Sequence, residues 1–159
     1  AEQAARLART SGVRRIHVVP TTTIPQGISA MMAYDESAEI KDNVEAMQEA
    51  ASRVQSGSVT FAARDSDYDG HQIKEGELLA LENGKVAFTG TDLGSVTAKV
   101  AKDLMQEDSQ FITLLYGADV SEEQAADVEE AVRSLLPEEV ELTVAYGGQP
   151  VYYFLISVE

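Results

Sequence analysis

The chain has 159 residues, of which 44% are hydrophobic and 25% charged, so it can form a packed core and is not a disordered tail. It contains no cysteine, which excludes a disulfide framework and thiolate zinc sites and fits a cytoplasmic protein. The net charge of −15 argues against nucleic acids and anionic membrane surfaces as partners, because both would repel the chain.

The charge is unevenly placed along the chain. Residues 1–34 carry four arginines against one glutamate, whereas residues 35–159 carry eight basic and 26 acidic residues. We therefore expect two parts. Residues 1–34 would be the remnant (helix, strand, helix) of an upstream parallel α/β half-domain, and residues 35–159 an α/β sheet-and-helix domain. No apolar run approaches the length of a membrane span, so no membrane insertion is expected.

A helix and a short strand open the chain. Ala4, Leu7 and Ala8 share one helical stripe, and Gly12 can end this helix in a left-handed conformation. The apolar, β-branched run at residues 16–19 predicts a strand that is buried on both faces. A parallel strand of this kind needs neighbouring strands, which this interpretation places upstream.

Three threonines connect this strand to a second helix. Thr23 stands three residues before Gln26, a capping-box spacing that predicts a helix beginning at Ile24. Because open α/β sheets bind ligands beyond the carboxyl ends of their strands, Thr21, Thr22, Thr23 and Gln26 are candidate ligand or partner contacts. The alternative is a connection whose threonines only cap the helix and turn the chain.

The loop at residues 64–70 (RDSDYDG) has a metal-like spacing of carboxylates. Asp65, Asp67 and Asp69 match the opening of an EF-hand calcium loop, but Gly76 stands where that loop needs a bidentate glutamate. The three aspartates are therefore weak metal candidates. The alternative is a solvated acidic turn whose carboxylates bond nearby amides.

Periodicity and turn residues predict the other elements. In chain order they are a turn at 34–37, a helix at 39–54, strands at 59–63, 78–81 and 86–88, a helix at 93–104, a strand at 111–116, a helix that begins after Ser121 and stops at Pro137, and strands at 140–146 and 151–158. These elements predict an α/β fold with a mixed, mostly antiparallel sheet of about five or six strands covered by helices. The sequence offers no nucleotide loop, nucleophile with base or complete metal-ligand set, so we expect no catalytic residue in this chain.

Four separated motifs resemble, in their order, the C-terminal domain of the fatty acid kinase A family, whose members are also described as dihydroxyacetone-kinase-like or DAK2-domain proteins. The motifs are VVPTTTIPQGISAMMAYDESAEIKDNVEAM, VTFAARDSDYDG, YGADVSEEQA and YGGQPVYYFLISVE. The resemblance implies the C-terminal half of a DegV-like fold. Arg64, Gly148, Gln149 and Tyr152 lie within these motifs and are further candidate ligand or partner contacts.

The resemblance also implies a function in bacterial lipid metabolism. It implies a non-catalytic domain that docks a fatty-acid-binding, DegV-like partner, so that a kinase domain outside this chain can form an acyl phosphate. ATP and Mg²⁺ would act in that kinase domain, and this chain would need no cofactor. The chain's own upstream domains and a second copy, forming a homodimer, are the other expected partners.

An alternative function is a small-molecule module that binds a fatty acid or similar amphiphile itself. It rests on the implied fold and on the apolar helix residues Ile28, Met31 and Met32, which follow the threonines. Such a module needs an enclosed tunnel.

Overall fold

The computed structural model of the chain describes residues 2–10, 12, 16–68 and 71–159. Its internal contacts divide the chain into two compact units, Ala1–Arg53 and Val54–Glu159. None of the helices in the described ranges combines the length and the apolar composition needed to cross a bilayer.

The first unit is helical where it is described. Its helices are α1 (Glu2–Thr10), α2 (Ile24–Met32) and α3 (Ile40–Arg53). Helices α2 and α3 pack against each other, so the first unit ends after α3 and not after Tyr34, where the charge pattern places the domain boundary. The origin of residues 1–34 in an upstream half-domain stays a prediction.

A buried asparagine fixes the turn between α2 and α3. The side-chain amide of Asn43 donates to the backbone carbonyl of Asp35 at 2.6 Å, and its Oδ1 accepts from the Asp35 amide at 2.8 Å. The Asp35 carboxylate accepts from the hydroxyl and the backbone N–H of Ser37, and these bonds lower its pKa. The predicted turn is therefore held by side chains as well as by backbone bonds.

The strand predicted at residues 16–19 is wrong. The structure gives these residues no regular secondary structure, and His17 among them is exposed. A strand exists only through hydrogen bonds to neighbouring strands, and the described part of the first unit contains no other strand. The apolar composition of the run was therefore not sufficient to form one.

The second unit contains the strands. In chain order its elements are β1 (Gln55–Phe61), β2 (Ser66–Tyr68), β3 (His71–Ile73), β4 (Leu78–Glu82), β5 (Lys85–Gly90), α4 (Leu93–Asp103), β6 (Phe111–Tyr116), α5 (Glu122–Arg133), β7 (Glu141–Tyr146) and β8 (Phe154–Val158). Over the described residues, six strands form one sheet in the order β5-β4-β1-β8-β6-β7, and β2 pairs with β3 in a separate hairpin. Only β6 and β7 of the large sheet run parallel, which confirms the predicted mixed, mostly antiparallel α/β fold.

Helices α4 and α5 pack against each other, and their buried residues join those of the sheet in one core. Val100 of α4 and Val132 of α5 are fully buried with Ile112, Phe154 and Ile156 of the central strands. Full burial of each of these side chains contributes roughly 1.5–3 kcal/mol. The core therefore fixes the central strands β6 and β8, whose ends carry the site described below.

Caps define where both of these helices begin. The Asp92 carboxylate accepts from the Ser95 amide at 2.8 Å at the start of α4, and its hydrogen bonds with Ser95 lower the Asp92 pKa. At the start of α5, Ser121 and Gln124 form the predicted capping box, each side chain accepting from the other residue's backbone N–H.

Candidate functional site

Aromatic residues gather where three strands of the large sheet end and β8 begins. Strands β1, β6 and β7 end at Phe61, Tyr116 and Tyr146, close to Phe154, the first residue of β8. The rings of Tyr116 and Tyr146 lie 5.3 Å apart, and those of Phe61 and Tyr153 lie 5.8 Å apart. We call this set the aromatic rim, and its members are Phe61, Tyr116, Tyr146, Tyr152 and Tyr153.

The rim is open to solvent to an unusual degree for aromatic side chains. Tyr146 is 65% exposed and Phe61 is 37% exposed, while the other three tyrosines of the rim are half-buried. Val151, in the loop that precedes β8, is 56% exposed beside them. Aromatic side chains that are anchored at one edge and open at the other are typical of contact surfaces.

The loop between β7 and β8, residues 147–153, is tied to the sheet. The Gln149 side-chain amide donates to the Leu115 carbonyl at 2.8 Å, and the Gln149 carbonyl accepts from the Ala118 amide at 3.0 Å. A Cβ at Gly117 would collide with the carbonyl oxygens of Gln149 and Tyr152, so this close approach requires glycine. The loop therefore has little freedom to change its shape.

Val151 has a strained backbone within this loop. Its φ angle is +73°, a left-handed conformation that a β-branched residue rarely adopts. The Thr60 hydroxyl donates to the Val151 carbonyl at 2.8 Å and holds this conformation. Such strain costs about 1–3 kcal/mol and persists where the surroundings enforce it, often at functional sites.

Acidic residues lie along the chain between the rim and α5. Asp119, Glu122 and Glu123 follow Tyr116 within a few residues and are exposed. The rim thus combines apolar rings with nearby negative charge, which suits a partner that carries basic groups around an apolar contact.

The predicted contact residues of the second unit fall partly at this rim. Gly148, Gln149 and Tyr152 belong to the same loop, and a Cβ at Gly148 would lie 3.2 Å from the Tyr146 ring. Arg64 is exposed and follows β1 by three residues. Gln149 is a structural tie rather than a free polar contact, because its side chain bonds the Leu115 carbonyl.

The predicted contacts of the first unit bond one another. The backbone N–H and the hydroxyl of Thr22 both donate to Gln26 Oε1 at 3.0 Å, and Thr23 Oγ1 accepts from the Gln26 amide at 3.4 Å. Thr21 is half-buried. The expected cap of α2 is present, but Gln26 reaches back to Thr22 instead of Thr23. This is the geometry of a connection that caps and turns the chain.

The aspartate loop has a structural bond where a metal was considered. Asp65 Oδ1 accepts from the Glu75 amide at 2.8 Å, and Asp67 lies opposite Gln72 in the β2–β3 hairpin. Asp69 lies outside the described residues. A cleft of about 420 Å³ runs along this hairpin, between Asp65 and Lys74. Within the described ranges, no three His, Cys, Asp or Glu side chains come together as metal ligands.

Comparison with protein families gives one match over the whole length. The profile of the FakA-like C-terminal family, described as the C-terminal part of a fatty acid kinase, matches residues 1–159. An uncharacterized protein of Staphylococcus haemolyticus is 39% identical over 158 residues, and Protein YloV of Bacillus subtilis is 36% identical over 145 residues. These alignments cover 99% and 91% of this chain but only 28% and 26% of the two relatives.

Solved structures of the DegV family share the fold at low sequence identity. A DegV family protein of Corynebacterium glutamicum superposes with a TM-score of 0.62 at 16% identity, covering 99% of this chain and 68% of that protein. A DegV family protein of Thermus thermophilus, described by its fatty acid binding, superposes with a TM-score of 0.55 at 16% identity, covering 98% and 65%. At these identities the likeness concerns the fold alone.

Proposed function

The chain belongs to the FakA-like family of fatty acid kinase C-terminal domains, and from this membership we propose that it docks a fatty-acid-binding protein of DegV-like fold and carries no catalytic residue. In this proposal ATP and Mg²⁺ act in a kinase domain outside the chain, where they phosphorylate the acyl group held by the docked partner. The relatives, of which this chain covers 28% and 26%, are long enough to include such a domain. The need for ATP places the complex in the cytoplasm.

The observation that carries this proposal is the exposed aromatic rim on a loop of fixed shape. A preformed surface avoids the entropy that a flexible loop would lose on binding. Tyrosine is enriched among the residues that contribute most to protein–protein affinity. The sheet positions Tyr146 at the rim with most of its side chain in solvent.

The charge near the rim supports a protein partner with basic groups. Asp119, Glu122 and Glu123 would repel a free fatty acid carboxylate or a phosphate but would attract lysines and arginines. Exposed charge pairs are weakened by salt, so the affinity of this complex should fall as ionic strength rises.

A calorimetric titration with a DegV-family fatty-acid-binding protein tests the docking role. We expect saturable binding by the parent chain and an affinity at least tenfold lower for Tyr146→Ala, equivalent to about 1.4 kcal/mol. Phe111→Ala is the matched control, because Phe111 is a 52% exposed aromatic residue at the opposite end of the sheet. It should bind like the parent.

Each contrary result removes a defined part of the proposal. If the parent chain gives no saturable heat, the docking role is wrong. If the parent binds and Tyr146→Ala binds equally well, docking takes place but the aromatic rim is not its surface.

A second candidate function is supported by α2. This helix exposes apolar side chains: Met32 is 81% exposed, Met31 65%, Ile24 52% and Ile28 36%. In this alternative the exposed face of α2 contributes to the binding of an acyl chain by the domain itself. A DegV family protein of Ruminococcus gnavus with the same fold is described with vaccenic acid.

Native mass spectrometry with added vaccenic acid tests this alternative. The parent chain should gain the mass of one acid, and Met31→Glu should lose it, because a carboxylate beside an acyl chain is costly. Leu7→Glu, which changes a 73% exposed apolar residue on α1, should still gain the mass. A parent chain that never gains it rules the alternative out.

A further inference from the structure

Strand β7 forms one edge of the large sheet, and part of its backbone faces outward. In the described structure it pairs only with β6, where the Glu141 amide donates to the Gln110 carbonyl and the Gly147 amide to the Tyr116 carbonyl. The odd-numbered residues of the strand therefore direct their backbone groups to β6. Because the direction alternates along a strand, four residues direct theirs to the free edge: Val140, Leu142, Val144 and Tyr146.

Arg133 covers half of this free edge. It stands in the last turn of α5, and its Nη1 donates to the Val140 carbonyl at 2.8 Å, while its Nη2 donates to the Leu142 carbonyl at 3.4 Å. Both carbonyls belong to the outward set, so a strand that joined the sheet here would compete for them. One planar guanidinium can bond both at once, which a lysine ammonium is poorly shaped to do.

The sequence of β7 has little protection of its own. Edge strands avoid pairing with other molecules through lysine, proline, bulges or short length. The strand reads ELTVAY, which has no lysine or proline, and from Leu142 onward it is uncharged and rich in residues that favour strands. The other edge strand, β5, begins with Lys85, and its pairing with β4 is irregular at Ala80 and Leu81.

We propose that Arg133 prevents the free edge of β7 from pairing with the same edge of a second copy of this chain. The second copy is the occupant because antiparallel pairing about a two-fold axis would bring two uncharged Leu142–Tyr146 segments together and satisfy the outward groups of both. The guanidinium blocks this pairing by occupying two carbonyls and by placing a positive charge at the edge of each copy.

Sedimentation or light scattering of Arg133→Met over a range of protein concentrations tests the proposal. Methionine keeps an unbranched apolar stem but donates no hydrogen bond, so the variant should associate and its mass should approach twice that of the parent as concentration rises. Adding Val144→Pro should return it to the parent's mass, because proline removes an outward amide that β6 does not use. Val144→Pro alone should match the parent.

A purely structural role for Arg133 predicts a different result. In that case Arg133→Met would melt at a lower temperature but keep the parent's mass at every concentration, and this would overturn the proposal. If Arg133→Met has no cooperative melting transition, Arg133→Gln replaces it, since glutamine stays polar at this exposed position. The same two outcomes then decide.

Discussion

Thr97 has a hydroxyl that the described part of the structure leaves unsatisfied. The residue is fully buried on α4, and its Oγ1 has no hydrogen-bond partner there. A buried polar group without a partner loses its bonds to water and gains nothing in exchange. The side chain thus fills space in the core, while its hydroxyl lowers the stability of the fold.

Thr97→Val should therefore stabilise the chain. Valine has nearly the same shape and a similar helix propensity, so the free energy of unfolding should rise by about 1 kcal/mol, measured by urea denaturation. Thr91→Val, at an exposed position, should leave it unchanged. A lower stability of Thr97→Val would show that the hydroxyl makes a bond that matters.

Single residues also show how far the site could be predicted. The glycine-rich turn marked Gly148, Gln149 and Tyr152, which the structure places in one loop. The sequence did not select Phe61 or Tyr116, because their place at the rim depends on which strands become neighbours, and that order is not local information. The positive φ of Val151 has no sequence signal, since its composition favours a strand.

At the scale of elements, local signals identified most helices and strands. The Asn83-Gly84 pair predicted the hairpin between β4 and β5, and both residues have positive φ angles. The boundaries were less accurate: α5 ends at Arg133 instead of near Pro137, which leaves Leu135 45% exposed. The missed β2–β3 hairpin pairs polar residues, so no alternation of apolar side chains indicated it.

The edge of the sheet is another property of elements that periodicity could not show. The sequence predicted β7 as a half-exposed strand, but it did not show that the strand is at an edge or that Arg133 bonds its outward carbonyls. Both facts depend on the parallel pairing of β6 and β7, which α5 connects.

At the scale of the whole molecule, composition and resemblance led to the family and the fold. The negative charge lies mainly from residue 35 onward, and the second unit combines it with an exposed aromatic rim. We therefore assign two tasks to different parts of the protein: the second unit presents a surface to a protein partner, and phosphoryl transfer belongs to another domain.

Hydrogen–deuterium exchange of the chain, with and without a DegV-family fatty-acid-binding protein, tests this account most directly. Docking at the aromatic rim should slow exchange in residues 147–153, because the partner excludes water from that loop. Residues 105–111, at the opposite end of the sheet, should exchange at the same rate in both samples. Slowed exchange at residues 105–111 with no change at residues 147–153 would contradict the account.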